Sequence, residues 1–361
     1  MRSHHRIYNH GMMLFLPLII LAGIASASAT EIMDQRGKTH DLDIPAERVV
    51  FIPPVMWTYL TVDETDTHMV GTSAFAKRVI QSGLLGKIFP HATHIPDITS
   101  NRFFAPNLEA VLAVHPDVVF QTIQIGPDAY ERLEQAGLKV IGITGVNGEE
   151  DFMSWTHLAG AVSGKHQKAQ QLINRFQTER KRLDTLFADL ADADRPKVLH
   201  LMGVEPLRPM VSGTSFDQAI RHAGGQNVAA ELTKFGPVNF EQVLLWDPDV
   251  ILISGWPEEK HTPADLFQSE KWSALRAVKN KRVYKIPLGG QRFEGIVEHP
   301  LYWQWLAELL HPTHTPHKFR KLFHETYQSI YDHTLTDAQI DQALYMQANQ
   351  RSEGFNRFLA Q

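Results

Sequence analysis

Residues 107–120 and 239–252 are two copies of one unit. Asn107-Leu-Glu-Ala-Val-Leu-Ala-Val-His-Pro-Asp-Val-Val-Phe120 and Asn239-Phe-Glu-Gln-Val-Leu-Leu-Trp-Asp-Pro-Asp-Val-Ile-Leu252 are identical at seven of fourteen positions, at an offset of 132 residues. Each copy has the same mechanics. Asn caps a short helix, an acid two residues on sits in its first turn, and apolar residues follow at three-to-four spacing. Pro then forbids continuation, and a β-branched run makes a buried strand. A helix-then-strand unit used twice predicts two related halves.

Each copy sits inside a larger similar pattern. Arg48-Val-Val-Phe-Ile52 opens the first half and Lys197-Val-Leu-His-Leu201 the second, both as apolar strands. After Val118–Phe120 the spacing predicts a helix over Asp128–Ala136, a stop at Gly137 and a strand over Lys139–Ile143. After Val250–Ile253 it predicts a helix over Trp272–Val278 and a strand over Arg282–Pro287. Strands alternating with helices imply mainly parallel sheets flanked by helices. The expected fold is therefore α/β, in two lobes rather than one long sheet.

Between the halves, residues 151–194 lack a convincing strand. Lys165–Leu190 is rich in Ala, Gln, Leu, Lys and Arg, with Leu172, Ile173, Phe176, Leu183, Leu186 and Leu190 on one face, a long amphipathic helix. Such a backbone holds two lobes at a nearly fixed angle. Ile32–Leu42, centred on Gly37, reads as a β-hairpin. The tail from His299 reads as helical, clearest over Tyr302–Leu310 and Asp337–Gln350. The expected division is a signal peptide over 1–29, an N-terminal lobe over 30–150, a connecting backbone helix over 151–193, a C-terminal lobe over 194–298 and a helical extension over 299–361.

The first 29 residues set the expected compartment. Arg2 and Arg6 precede a thirteen-residue apolar run from Met12 to Ile24, and Ala25-Ser-Ala-Ser-Ala29 offers small-residue cleavage sites. That is the order of a secretory signal, and the run falls short of the ~20 residues a membrane span needs. No later stretch approaches that length. The chain has no Cys, which excludes disulfides, thiol catalysis, thiolate metal sites and a lipidated N-terminal Cys. Its 35 basic and 40 acidic residues include no basic block, which argues against nucleic acid or an anionic membrane as partner. An exported, periplasmic protein acting as a monomer is expected.

Several short pieces, weak alone, recur in a fixed order over about 250 residues. They are Asp34-Gln35-Arg36-Gly37 leading into Pro45-Ala46-Glu47-Arg48-Val49-Val50, then Pro106-Asn107-Leu108-Glu109 and Pro116-Asp117. The second half supplies Gly213-Thr214-Ser215, Ala223-Gly224-Gly225-Gln226-Asn227, Phe240-Glu241, Asp247-Pro248-Asp249 and Ala277-Val278-Lys279-Asn280-Lys281-Arg282-Val283-Tyr284. In this the chain resembles the helical-backbone (class III) periplasmic substrate-binding proteins that feed ABC importers with iron–siderophore complexes, haem, cobalamin or other metal complexes. The resemblance implies a cargo held between two lobes, no intrinsic cofactor, and an ABC permease dimer as partner. It implies that Glu109 and Glu241 dock onto the two permease subunits. On helix physics alone each is a favourable first-turn acid worth ~0.3–1 kcal/mol.

In open α/β sheets ligands bind beyond the carboxyl ends of the strands. Loops expected there pair Arg with aromatic side chains, a combination that suits a bulky anionic metal chelate. The candidates are Trp57 and Tyr59, Arg102 and Phe103, Trp256, Arg292 and Phe293. Arg292 follows a predicted strand end in a Gly-rich loop, where the resemblance also puts a ligand arginine. Among nineteen His, His299, His311, His314 and His317 are candidates for a metal, although Pro312 and Pro316 break any helix there. No Gly-x-Ser-x-Gly, His-Glu-x-x-His, Walker or dinucleotide fingerprint is present, so a binding protein is expected rather than an enzyme. The expected cargo is a ferric siderophore or haem. Alternatives are cobalamin, a nickel or cobalt chelate, or a metal-chaperone role for the His-rich tail.

Overall fold

The structure, a computed structural model, describes Met1 and residues 29–100, 104–145 and 148–360. The expected signal segment falls outside the described residues from 2 to 28. A hairpin of β1 (Ala29–Met33) and β2 (Thr39–Asp43) opens the chain. The first lobe continues with β3 (Val49–Phe51), α1 (Met56–Asp63), β4 (Met69–Thr72), α2 (Ala74–Ser82) and α3 (Leu85–Ile88). It is completed by α4 (Leu108–Ala113), β5 (Val118–Thr122), α5 (Asp128–Gln135) and β6 (Val140–Ile143). Its sheet runs β4-β3-β5-β6, parallel throughout.

Two helices cross to the second lobe, α6 (Glu149–Ser163) and α7 (His166–Leu186). The second lobe holds β7 (Lys197–Gly203), β8 (Arg208–Pro209), α8 (Ser215–His222), β9 (Gln226–Asn227), α9 (Phe240–Trp246) and β10 (Val250–Ile253). It continues through α10 (Pro263–Gln268), α11 (Arg276–Lys279) and β11 (Val283–Lys285). Its sheet runs β11-β10-β7-β8 with β9 beside β7, parallel except for β8. Four helices follow: α12 (Gly295–Leu310), α13 (Phe319–Tyr331), α14 (Asp337–Ala343) and α15 (Met346–Asn349). The chain is α/β, with two parallel-sheet lobes flanked by helices.

Alternation in the strands divides the cores. Val49, Phe51, Val118 and Phe120 face the large core shared with the connecting helices, while Val50, Ile52, Val119 and Val140 face a smaller outer one. In the second lobe Val198, Val250, Leu252 and Tyr284 face the shared core, and Leu199, Leu201, Ile251 and Val283 face outward. Strands buried on both faces read as unbroken apolar runs for this reason.

The repeat does the same work twice. Asn107 accepts from Ala110 N at 3.2 Å and Asn239 from Gln242 N at 2.9 Å, capping α4 and α9. After the Pro, Asp117 accepts Arg48 N at 2.9 Å and Asp249 accepts Lys197 N at 2.9 Å. The same two acids donate their own N–H to the Arg48 and Lys197 carbonyls, both at 2.8 Å. Each Pro-Asp therefore ties a central strand to the start of its neighbour. The opening Asp34 acts as a staple: its carboxylate takes Gly142 N at 2.9 Å and Arg36 Nε at 2.8 Å, fixing the hairpin to β6.

Three expectations are corrected in detail. The helix expected over Lys165–Leu190 is α7, 21 residues and about 30 Å long, but a separate helix, α6, precedes it and turns back at Gly164 (φ 71). Gly160 allows that close approach, since a Cβ there would lie 2.6 Å from the Ala169 Cβ. The helix expected over Trp272–Val278 is a 3-10 turn at Glu270–Trp272 followed by α11. The tail does not begin as a peripheral extension: α12 starts at Gly295, carries Pro300 within it, and is buried at every residue. Its all-round apolarity is the sign of a core helix. Among the described residues no helix is long and apolar enough to cross a membrane.

Candidate functional site

Parallel strands deliver their carboxyl ends to one side of each lobe, and here the two sides face each other. From the first lobe come the segments after β3, β4, β5 and β6, including Trp57, Phe75, Gln124 and Gly145. From the second come those after β7 and β10, including Met202 and Trp256. The loop from β11 to α12 closes the floor, and it touches the first lobe where Leu84 N donates to the Gly289 carbonyl at 3.1 Å and Gln291 Nε2 donates to Thr61 Oγ1 at 2.9 Å. Across the mouth, Arg78 and Glu258 stand 3.9 Å apart.

Arg292 occupies the centre. Its guanidinium carbon lies 4.0 Å from the ring centroid of Trp256, 5.2 Å from Phe75 and 5.9 Å from Trp57, so aromatic groups of both lobes surround one cation. The side chain is 6% exposed, its Nη2 pairs with Glu294 Oε1 at 3.0 Å, and its buried Nε has no partner among the described residues. Burial pushes the Glu294 carboxyl above the usual carboxylate range, against the pull of Arg292.

The backbone beneath is strained and held. Arg292 (φ 58) and Phe293 (φ 56) are consecutive left-handed residues with side chains, each costing on the order of 1–2 kcal/mol. Glu298 offsets this: its carboxylate accepts Gly290 N and Gln291 N, both at 2.6 Å, Phe293 N at 3.1 Å, and the Tyr327 hydroxyl. A Cβ at Gly289 (φ 58) would lie 2.5 Å from Glu298 Oε2, so only glycine lets the loop close on that acid. Burial drives Glu298 up to about 7, although all four donors favour its charged form.

Beside Arg292 opens a cavity of about 510 Å³ whose lining includes Trp155, Met202, Phe216, Lys234, Trp256 and Glu294. Its wall is built by the Gly213-Thr214-Ser215 segment at the start of α8. Asp217 grips that turn, accepting Gly213 N at 3.0 Å and Asn227 Nδ2 at 2.9 Å, which joins two of the sequence motifs through one carboxylate. The cavity size suits an organic or chelated ligand, and a mostly apolar lining that holds Lys234 and abuts Arg292 through Trp256 and Glu294 suits one that carries negative charge.

Behind the cavity a polar chain joins the connecting helices to α8 and α12. Buried Glu149 pairs with His222 Nε2 at 3.1 Å and His299 Nε2 at 3.2 Å, and accepts Trp303 Nε1 at 3.0 Å. His222 Nδ1 pairs with Asp184. Burial alone would raise Glu149, but the two imidazoles outweigh it and hold the carboxyl down at about 2. His222 is opposed by its own burial and nevertheless raised by Glu149 and Asp184.

The structure sorts the expected site residues. Arg292 and Trp256 meet in the cleft. Trp57 lies there too, but buried beneath Arg292 and not open to a ligand. Tyr59 is a core residue of α1 packed at a tilt against Phe51 at 5.2 Å, and Phe293 is core, packed against Phe323 at 5.7 Å. Both are corrected for one reason: helical and left-handed backbone turn them away from the neighbour that reaches the cleft. Arg102 and Phe103 lie outside the described residues. Glu109 and Glu241 are exposed in the first turns of α4 and α9.

The histidines of the described residues do not assemble a metal site. His299 is fully buried, with Nδ1 donating to the Phe293 carbonyl at 2.9 Å and Nε2 directed to the Ser215 carbonyl and Glu149, so no nitrogen is left for a metal. His311 is buried and donates to the Gly224 carbonyl at 3.0 Å, while His314 and His317 are exposed. Among the described residues no group of three or more His, Asp or Glu is arranged to hold a metal ion. Sequence reading missed Glu294, Phe216, Trp155 and the loop organiser Glu298. The only local signal was the Gly289-Gly290 pair, which marks a close approach without saying to what.

Comparison with known proteins gives a consistent outcome. The family described as periplasmic binding protein matches residues 65–288. The molybdate-binding protein MolA of Haemophilus influenzae is 27% identical over 249 residues, covering 62% of this chain and 70% of that protein. The iron-uptake system-binding protein of Bacillus subtilis is 22% identical over 268 residues, covering 72% and 80%. Among solved structures, a periplasmic solute binding protein from Veillonella parvula superposes with a TM-score of 0.79 at 25% identity, covering 90% of this chain and 99% of that one.

Proposed function

The chain belongs to the periplasmic binding protein family, and from that premise we propose that it is the solute-binding component of an ABC importer whose cargo is an anionic iron complex, a ferric siderophore or haem, taken up between the two lobes. The observation that carries this reading is Arg292, a nearly buried cation whose stacking partner Trp256, at 4.0 Å, and ion-pair partner Glu294, at 3.0 Å, both line a cavity of about 510 Å³. A guanidinium in an apolar, aromatic setting binds carboxylate or catecholate oxygen strongly, because water competes poorly there. Similarity to an iron-uptake binding protein supports the metal. A bare oxyanion is the second reading, favoured by the similarity to MolA; the width and apolar lining of the cavity favour the larger complex. Glu109 and Glu241 are the proposed contacts with the two permease subunits, exposed at equivalent positions of the repeat.

A tryptophan-fluorescence titration of metal-stripped protein tests this. Trp155 and Trp256 line the cavity, so a coloured complex seated there quenches them. Ferric hydroxamate and catecholate siderophores, ferric citrate, haem, cobalamin and molybdate form the panel. Saturable submicromolar quenching by one iron complex is the expected result. Saturation by molybdate alone selects the second reading, and binding only of free metal ions, lost with His314 and His317, overturns both.

A further inference from the structure

Glu294 is difficult to account for as a structural residue. It stands at the start of α12 without making a side-chain cap, and the one side chain it binds is Arg292. Its side chain is 18% exposed and lines the cavity. Arg292 in turn makes no other hydrogen bond within the described residues. Arg292 is thus paired with an internal carboxylate, at the place where the proposed cargo presents its own negative oxygen.

We propose that Glu294 is a built-in competitor for the anionic group of the cargo at Arg292: binding displaces its carboxylate from the guanidinium, and the displaced group takes up a proton. The inference rests on the proposed reading of the cleft as an anion-binding site. Its physics is one of like charges. Arg292 cannot neutralise two carboxylates in an apolar pocket, and the group that loses it is left a desolvated anion, which protonates instead. Burial already raises Glu294 while Arg292 still holds it, so losing that partner acts in the same direction.

The charged neighbours allow this. His299 on α12 faces Glu294 but is already bound to Glu149 of α6 and to two carbonyl groups. Lys234 lies across the cavity in an exposed loop. Glu298 is fully engaged by the loop backbone, and Arg78 and Glu258 pair with each other at the mouth. None of these is a spare cation placed to replace Arg292. The arrangement also excludes cargo: a neutral or cationic complex cannot displace Glu294, so the pair acts as a charge filter.

The test compares wild type with Glu294→Gln, which keeps shape and removes the charge. Whichever member of the panel above saturates the wild type is titrated calorimetrically in phosphate and in Tris, between pH 6 and 8. The expected result is that Glu294→Gln binds about 5- to 10-fold tighter at pH 8, that the gap closes toward pH 6, and that the buffer dependence shows roughly half a proton more taken up by wild type, the uptake such a narrowing over two pH units requires. Differencing the two proteins cancels protons belonging to the complex itself. Glu294→Ala is the second variant, expected to share the gain in affinity. Weaker binding by both variants would show that Glu294 touches the cargo favourably and would overturn the inference, as would equal affinity with equal proton counts. Failure of the whole panel to bind either protein overturns the cleft reading, and the inference with it.

Discussion

In the first lobe Asn107 caps a helix whose Glu109 is exposed, and Asp117 ties β5 to β3; in the second, Asn239, Glu241 and Asp249 do the same for α9, β10 and β7. The loops that meet across the cleft follow no such rule. The first lobe contributes aromatic surface, Phe75 and the covered Trp57, while the second contributes Trp256, Phe216 and the Arg292 guanidinium, which lies against Trp256, Phe75 and Trp57. Repetition thus governs the frame and the rims, and its absence governs the cargo site. A partner of two-fold character can read equivalent rims, whereas a cargo without that symmetry is read by loops free to differ.

The largest expected effect separates these two parts. Glu109→Arg with Glu241→Arg should reduce uptake by cells to background while leaving the affinity for cargo unchanged; retained uptake removes the rims from the account. Arg292→Ala should do the converse, weakening cargo binding by about 2–3 kcal/mol, or roughly 30- to 150-fold, with the fold unchanged by circular dichroism. If both manipulations alter affinity equally, frame and cargo site are not separable.

A third prediction concerns the polar chain behind the cavity. Glu149→Gln leaves His222 and His299 facing one another without their shared anion and should destabilise the protein by ~3 kcal/mol in urea unfolding. The sign with pH follows from both partners. Glu149 is held below its ordinary 4.5, so its contribution is present above that value and fades as pH falls toward 2. His222 is raised from 6.5, so its contribution is present below that value and fades as pH rises through the raised one. The difference between wild type and Glu149→Gln should therefore be largest between pH 4.5 and 6.5. A difference that fails to shrink below pH 4.5 and above pH 6.5 contradicts the pairing.

The smallest effects sharpen the comparison most. Asp117→Asn and Asp249→Asn each weaken one tie between neighbouring strands and should each cost about 1 kcal/mol. Near-equality is the expectation from the shared strand tie, since the further partners, Glu47 N on Asp117 and the half-exposed Arg276 on Asp249 at 2.9 Å, each add little. A several-fold inequality would mean that the repeat shares a sequence pattern without sharing its energetics.

Legibility in the sequence followed the same division. The capped helices, the strands Val118–Phe120 and Val250–Ile253 and the Gly37 hairpin are local events, set by residues within a few positions of one another, and the structure contains them. The cargo site depends on contacts across the chain. Arg292 meets Phe75 over more than two hundred positions, and which of Trp57, Tyr59 and Phe293 faces the cleft is decided by helix phase and by two left-handed residues that no spacing announced. His299 stood out by composition, yet its role was fixed by Glu149, 150 positions earlier, at a position where the sequence announced no element. The buried α12 was obscured by Pro300, which suggested a later start than Gly295.

The central claim is that the unrepeated loops around Arg292 hold a metal complex. Anomalous diffraction at the iron edge, on crystals grown with the ferric complex that saturates the protein, tests it most directly. The account predicts one strong peak in the cavity bounded by Trp155, Phe216 and Trp256, with a ligand oxygen on the Arg292 guanidinium in place of Glu294. A peak at the exposed His314 and His317, or none within the cleft, would contradict it.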